Sequence, residues 1–191
     1  MQSQLISATK QIIHLTKNDE NILLKLFVHK HFSKGDYFLK EGQVCKFVGF
    51  IEKGLIRYFI NKDGEDAIYN FGKENDFVCN YESFLDHSAS NKNIQCIEDT
   101  LMLVCSYDNL QEIYTSLSEG QKWGRLVCEN LFVNAIKQIT SLYTAAPEKR
   151  YREFLEFYPD LQQRIPQYYI SSYVGVKPQS LSRIRKRLSD N

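Results

Sequence analysis

The chain has 191 residues, with 24 Lys+Arg against 23 Asp+Glu and a net charge of +1. That length fits one large domain or two small ones with a real core. No apolar run approaches the roughly 20 residues of a membrane span, and the polar N-terminus does not read as a signal peptide.

Residues 1–27 read as helical: Ile12, Ile13 and Leu15 close one segment, and Thr16 with Asp19 and Glu20 marks a helix start. From about Val28 the period changes. Short aromatic and β-branched runs (Tyr37–Leu39, Phe47–Ile51, Leu55–Ile60, Ala67–Phe71, Phe77–Cys79, Ile94–Ile97 and Leu101–Cys105) alternate with glycine turns at Gly35, Gly42, Gly54, Gly64 and Gly72. Such spacing predicts an antiparallel sandwich or barrel-like roll of about eighty residues.

Asn109 to about Tyr143 reads as helix again, with Trp123, Val127 and Leu131 on one stripe. Phe132, Ile136, Ile139 and Tyr143 lie on a second, drifting stripe. Two stripes suggest that one faces the roll and the other a partner helix, although a helix buried within one chain would also carry them. A homodimer paired through roughly Glu119–Tyr143 is expected. Ala145-Ala146-Pro147 breaks this helix, and Pro147 opens another that places Tyr151, Phe154, Leu155 and Tyr158 on one face before Pro159.

The end of the chain is basic. From Pro147 onward there are nine Lys/Arg and five Asp/Glu, which leaves fifteen and eighteen for the rest. Ile170, Tyr173 and Val174 share a helical face, Gly175 suits a tight turn, and Pro178 suits a first helical turn. On the second helix Leu181, Ile184 and Leu188 form an apolar back. Gln179, Ser182, Arg183, Lys186 and Arg187 point broadly the other way. A helix, a glycine turn and a helix with a basic front make a helix-turn-helix. A solvated helical hairpin is the plainer reading, but such faces normally mix charges. From Leu161 onward six Lys/Arg stand against one acid, Asp190.

In order and in residues, the chain resembles the Crp/Fnr family of bacterial transcription regulators. Phe32–Gly42 looks like the first strand pair of that family's roll. Gly49-Phe50-Ile51-Glu52-Lys53-Gly54 with Lys62-Asp63-Gly64-Glu65 is similar to its next hairpin. Val174-Gly175-Val176 and Leu181-Ser182-Arg183-Ile184 resemble its turn and recognition helix. The resemblance covers about residues 20–188. It implies an α+β fold: an antiparallel, cyclic-nucleotide-binding-like roll (a double-stranded β-helix, cupin-like) over 1–118, a dimerisation helix over 119–146, and a helix-turn-helix domain over 147–191. The β wing that usually follows the recognition helix is absent up to the last residue, three past Leu188.

Carried across by position, Gln179 and Arg183 fall where the family reads base edges, and Pro178 stands where it often has Arg. Ser180, Ser182, Lys186 and Arg187 are the expected phosphate contacts, and Lys177 is a further expected DNA-binding residue. The effector pocket would be built from Phe77, Cys79, Asn80, Tyr81, Phe84, Lys92 and Asn93. Members that bind cyclic nucleotide carry a Gly-Glu pair and an Arg there. Cys79-Asn80 replaces the pair and Asn91-Lys92-Asn93 lies near the Arg, so cyclic AMP is not expected to bind. The implied partners are double-stranded DNA, a second copy of the chain, RNA polymerase, and an unidentified small-molecule effector if there is one. Neither a membrane nor a cofactor is implied.

Other constellations point elsewhere only weakly. His29-Lys30-His31 would need a third ligand to hold a metal, and His87 falls in an expected loop. The five cysteines (Cys45, Cys79, Cys96, Cys105, Cys128) are dispersed, unlike an iron–sulfur set. They read as small buried residues of a reducing, cytoplasmic compartment. No catalytic set stands out, so no enzyme is expected. Two alternatives stay open: a cyclic-nucleotide-responsive factor, and a β-roll protein that binds a small molecule or metal and whose tail does not bind DNA.

Overall fold

The computed structural model describes residues 3–189. By its internal contacts the chain forms two units, Met1–Phe59 with Phe71–Asn130, and Ile60–Asn70 with Leu131–Asn191.

The first unit opens with two helices, α1 (Gln4–Lys10) and α2 (Lys17–Leu26). The single helical stretch expected to close at Ile12–Leu15 ends earlier. Ile13 and Leu15 are both buried, and an i, i+2 pair can face one core only from extended backbone. Thr16 does start α2. Its hydroxyl accepts from the Asp19 N–H (3.1 Å), while the Asp19 carboxylate accepts from the Thr16 N–H (2.9 Å) and hydroxyl (2.7 Å).

The strands are β1 (Val28–Phe32), β2 (Tyr37–Leu39), β3 (Phe47–Lys53), β4 (Ile56–Lys62), β5 (Glu65–Gly72), β6 (Phe77–Val78), β7 (Asn93–Cys96) and β8 (Thr100–Ser106). They make two four-stranded sheets, in the orders β1-β8-β3-β6 and β2-β7-β4-β5. The resolved ladders are antiparallel, so the roll is built as the alternation predicts. β3 and β8 are buried along most of their length rather than at every second residue. Helices cover the far side of that sheet: α1 packs on β3, and α4 (Tyr107–Ser116) packs on β8 and α2. That cover explains the near-continuous apolar runs of these two strands. Gly54 shows why one turn needs glycine. Its φ is +109°, and a Cβ there would lie 2.5 Å from Thr100 Oγ1 and 2.7 Å from the Thr100 backbone.

The helix expected from Asn109 to Tyr143 is two helices, α4 and α5 (Gly120–Thr144). Leu117 is extended (φ −77°, ψ 145°) and ends α4. Gly120 then backs onto α4, where an added Cβ would meet the Ile113 carbonyl at 2.5 Å. Asp19 fixes this junction. Its second carboxylate oxygen accepts from the Ser118 N–H (3.0 Å) and hydroxyl (3.2 Å). Burial pushes the Asp19 carboxyl up, but the hydrogen bonds from Ser118 and Thr16 outweigh it and hold the group below its usual range. A depressed carboxylate contributes stability that is present above its unfolded pKa of about 3.9 and lost as pH falls through the folded value. Asp19→Ala is therefore expected to cost about 2–3 kcal/mol at neutral pH, and much less at the acid end of that window. Urea midpoints at two pH values, with an unchanged slope, check this.

In the second unit α6 (Pro147–Phe157), α7 (Leu161–Arg164), α8 (Gln167–Val174) and α9 (Pro178–Ser189) gather a core of Tyr151, Phe154, Tyr158, Leu161, Ile165, Ile170, Val174, Leu181 and Ile184. The Ser172 hydroxyl accepts from the Ile68 N–H and donates to the Asp66 carbonyl, both at 2.9 Å. It occupies the hydrogen-bonding groups that a neighbouring strand would take at the edge of β5. Among the described residues no helix is long and apolar enough to cross a membrane.

Candidate nucleic-acid interface and effector pocket

α8 and α9 are joined by Gly175, Val176 and Lys177. Gly175 adopts φ 72°, ψ 41°, the left-handed conformation that lets its N–H and that of Val176 return to the last carbonyls of α8. Arg150, on α6, holds the turn from behind. Its Nε donates to the Val174 carbonyl (2.8 Å) and its Nη1 to the Ala145 carbonyl (2.7 Å), so one side chain ties the ends of α5 and α8. The sequence reading missed that role, because an Arg in a helix of mixed charge carries no periodic signal. Pro178 starts α9 without a helical hydrogen bond to lose. The Lys177 carbonyl instead accepts from Ser180 and Leu181.

Leu181 and Ile184 are buried and Leu188 is half-buried, whereas Lys177, Gln179, Ser180, Ser182, Arg183, Lys186 and Arg187 are all exposed. The helical period brings Gln179, Arg183 and Lys186 together at i, i+4 and i+7, opposite the buried stripe. Ser182 and Lys186 also edge a cavity of about 460 Å³ against Tyr151 and Leu155 of α6. Arg187 differs from the others. It lies 3.4 Å from the Glu148 carboxylate of α6, so it is partly neutralised in place. α9 carries no acidic residue over Pro178–Ser189, so its open face is a single-sign, cationic surface.

In the first unit the seven expected pocket residues fall into an aromatic pair, Phe77 and Phe84, and a polar trio, Asn80, Lys92 and Asn93, with Tyr81 and Cys79 in neither; the Cys79 sulfur lies 3.9 Å from that of Cys45. Phe77 packs its ring on Phe50 (5.2 Å) and Trp123 (5.7 Å), and Phe84 is buried against Tyr107 (5.5 Å). Both are packing residues of the helix-covered side. Tyr81 lies between the sets on α3 (Tyr81–Asp86), its ring near Phe84 and its hydroxyl 3.4 Å from Cys128 Sγ.

Asn80 and the Lys92 backbone meet through Ser90, while the side chains of Lys92 and Asn93 turn to other partners. The Asn80 amide donates to Ser90 Oγ at 2.7 Å, and that hydroxyl donates to the Lys92 carbonyl (2.8 Å) and accepts from the Lys92 N–H (2.9 Å). Asn80 is the N-cap of α3 and makes no side-chain cap, since its amide is turned to Ser90. Asn93 Oδ1 accepts from the Glu41 N–H at 2.9 Å. Lys92 Nζ is paired with Glu82 at 2.9 Å and holds that carboxyl below its usual range. A buried polar group needs its partners, and these groups have theirs without a ligand. Ser90 was missed because nothing in its neighbourhood marks it.

His87 ends α3 in the left-handed region (φ 53°) with its ring edge-on to Tyr107 at 4.8 Å. His29 Nε2 lies 3.0 Å from a Glu52 oxygen. Among the described residues no group of three or more His, Cys, Asp or Glu could hold a metal ion.

Residues 29–116 match the cyclic nucleotide-binding domain family. No curated protein matches the chain in sequence. Among solved structures, FixK2 from Bradyrhizobium japonicum superposes with a TM-score of 0.72 at 15% identity, over 86% of this chain and 85% of that one. A cyclic nucleotide-binding domain containing protein from Listeria monocytogenes gives 0.71 at 14% identity, over 98% and 91%. A protein from Eubacterium rectale described as a transcriptional regulator of the Crp/Fnr family gives 0.69 at 14%, over 92% and 84%. At these identities the shared property is the fold. The chain thus contains a stretch, residues 29–116, matching the cyclic nucleotide-binding domain, and it shares its fold with structures that include a Crp/Fnr-family regulator.

Proposed function

We propose that this protein is a DNA-binding transcription regulator that works as a homodimer and does not respond to cyclic AMP. The observation that carries the reading is the surface of α9. Its buried stripe anchors it to α8, and Gln179, Ser182, Arg183 and Lys186 stand exposed on the opposite side with no acid among them. A helix held from behind, with such a front, fits the major groove as the second helix of a helix-turn-helix. Two copies would then read a near-palindromic site with half-sites about 34 Å apart. The roll would serve as sensor or relic of a sensor. The self-satisfied Asn80–Ser90–Lys92 network supports the absence of a cyclic AMP response, because it offers no free permanent cation to a cyclic phosphate.

The domain match over residues 29–116 favours one other reading, a cyclic-nucleotide-responsive regulator. Fluorescence anisotropy with a pool of random duplexes tests DNA binding. Retention at low salt is expected to fall linearly on a log–log plot as salt rises, with a slope reflecting several phosphate contacts. No retention at low salt overturns the proposal. Calorimetric titration with cyclic AMP is expected to give no heat at micromolar protein, and micromolar affinity would favour the other reading.

A further inference from the structure

Two of the five cysteines are far apart in sequence and adjacent in the fold. Cys45 lies in the loop before β3, and Cys79 lies between β6 and α3. Their sulfurs are 3.9 Å apart. A disulfide needs about 2.05 Å, so the two sulfurs must approach by about 1.9 Å for the bond to form. Cys45 is buried and Cys79 half-buried, which admits at most a small, uncharged oxidant to the pair.

The pair is also chemically unequal. The contact shared by the two sulfurs, in which either could be the donor, brings the Cys45 thiol down to about 7 despite burial, with help from the backbone at Asn80 and Phe47. Cys79 is pushed up in turn, first by its bond to Cys45 and then by burial. By contrast burial alone pushes Cys105 up to about 12, and chiefly burial pushes Cys96 up to about 11, as for inert core residues.

We propose that Cys45 and Cys79 form a reversible dithiol that closes to an intramolecular disulfide when hydrogen peroxide oxidises it. The Cys45 thiolate attacks one peroxide oxygen and the O–O bond breaks. The departing hydroxide takes the proton that Cys45 gave up and leaves as water, and Cys45 becomes a sulfenic acid. The Cys79 sulfur then attacks the Cys45 sulfur, the S–O bond breaks and the S–S bond forms. The displaced hydroxide leaves with the Cys79 thiol proton as a second water. Two electrons pass from the dithiol to the peroxide.

The position of the pair gives closure a route to the rest of the unit. Cys79 directly precedes the N-cap of α3, and the Cys45 N–H donates to Ser83 Oγ on that helix at 2.9 Å. Tyr81 on α3 reaches Cys128 on α5. Drawing Cys79 toward Cys45 therefore displaces the start of the helix that touches α5. Cys45 and Cys79 both belong to the first unit, so their oxidation is tested without reference to DNA binding by α9.

The test uses the full chain, reduced and then treated with a few equivalents of hydrogen peroxide at neutral pH. It is quenched with N-ethylmaleimide and digested without reductant for mass mapping. The expected result is a peptide pair linked through Cys45 and Cys79, with two fewer free thiols, both regained on adding dithiothreitol. Cys79→Ser is expected to stop at a Cys45 sulfenic acid that dimedone traps, and Cys45→Ser to slow peroxide-driven thiol loss on the order of tenfold. Mapping the unsubstituted chain carries the test even where a variant folds poorly. Recovery of both cysteines alkylated, or a link through Cys105 or Cys128 instead, overturns the proposal.

Discussion

Ile136→Glu combined with Ile139→Glu is expected to convert a dimer into a monomer at micromolar concentration. The reason lies along the second half of α5. Phe132 is 67% exposed, Ile136 46%, Ile139 52% and Tyr143 84%, and their spacing of four, three and four residues keeps them on one seam. Leu131, Val133 and Leu142 stand exposed beside them. A second copy of the same helix is expected to cover an apolar surface of this extent, by the two-fold, self-complementary contact usual in homodimers. At about 25 cal/mol per Å², covering such a seam supplies most of the association free energy. Two glutamates per chain place four carboxylates in the seam of a dimer, and burying unpaired charge costs several kcal/mol. A loss of about 4 kcal/mol raises the dimer dissociation constant roughly a thousandfold. DNA affinity is expected to fall with it, because a monomer engages one half-site and loses the effective concentration of the second. Light scattering of parent and variant decides the matter. A parent that is monomeric at micromolar concentration would refute the pairing, as would a variant that stays dimeric.

Arg183→Ala is expected to cost about 1–3 kcal/mol at the cognate site, and to relax base preference at one position per half-site. Arg183 is exposed at the centre of the open face of α9, with Gln179 one turn before it. Its planar, permanently charged fork matches the O6 and N7 acceptors of guanine, and the Gln179 amide matches N6 and N7 of adenine. Lys186, one turn further on, carries a point charge suited to phosphate. Lys186→Ala is expected to weaken all sequences alike and to lower the salt slope by about one per half-site. Arg187 is expected to contribute less than Lys186, since Glu148 already draws on its charge. Binding-site selection with parent, Arg183→Ala and Lys186→Ala tests all of this. Recovery of the same motif with the same affinity from Arg183→Ala would falsify the assignment of α9 as the reading helix.

Whatever depended on local periods was legible from the residues alone. The alternation of aromatic and β-branched runs with glycine turns marks the strands of the roll. Thr16 with Asp19 marks the start of α2, Pro147 the start of α6, and Gly175 with Pro178 the turn into α9. Each is a short-range matter: a cap, a missing N–H, a left-handed φ, or a repeat of two or 3.6 residues. The open face of α9 was legible for the same reason, because the helical period alone separates Gln179, Arg183 and Lys186 from Leu181 and Ile184.

What the residues could not disclose depends on partners far away in the chain. The break between α4 and α5 follows from Asp19 bonding Ser118 across 99 positions and from the close approach of Gly120 to Ile113. Phe77 and Phe84 share a cassette with Asn80 in sequence, yet their rings turn to Trp123 and Tyr107 while Asn80 turns to Ser90. The pairing of Cys45 with Cys79, separated by 34 positions, carries no local pattern at all. Composition and period therefore determined which elements form and which faces they offer. Only the closing of the sheets, by ladders between strands distant in sequence, decided which of those side chains meet.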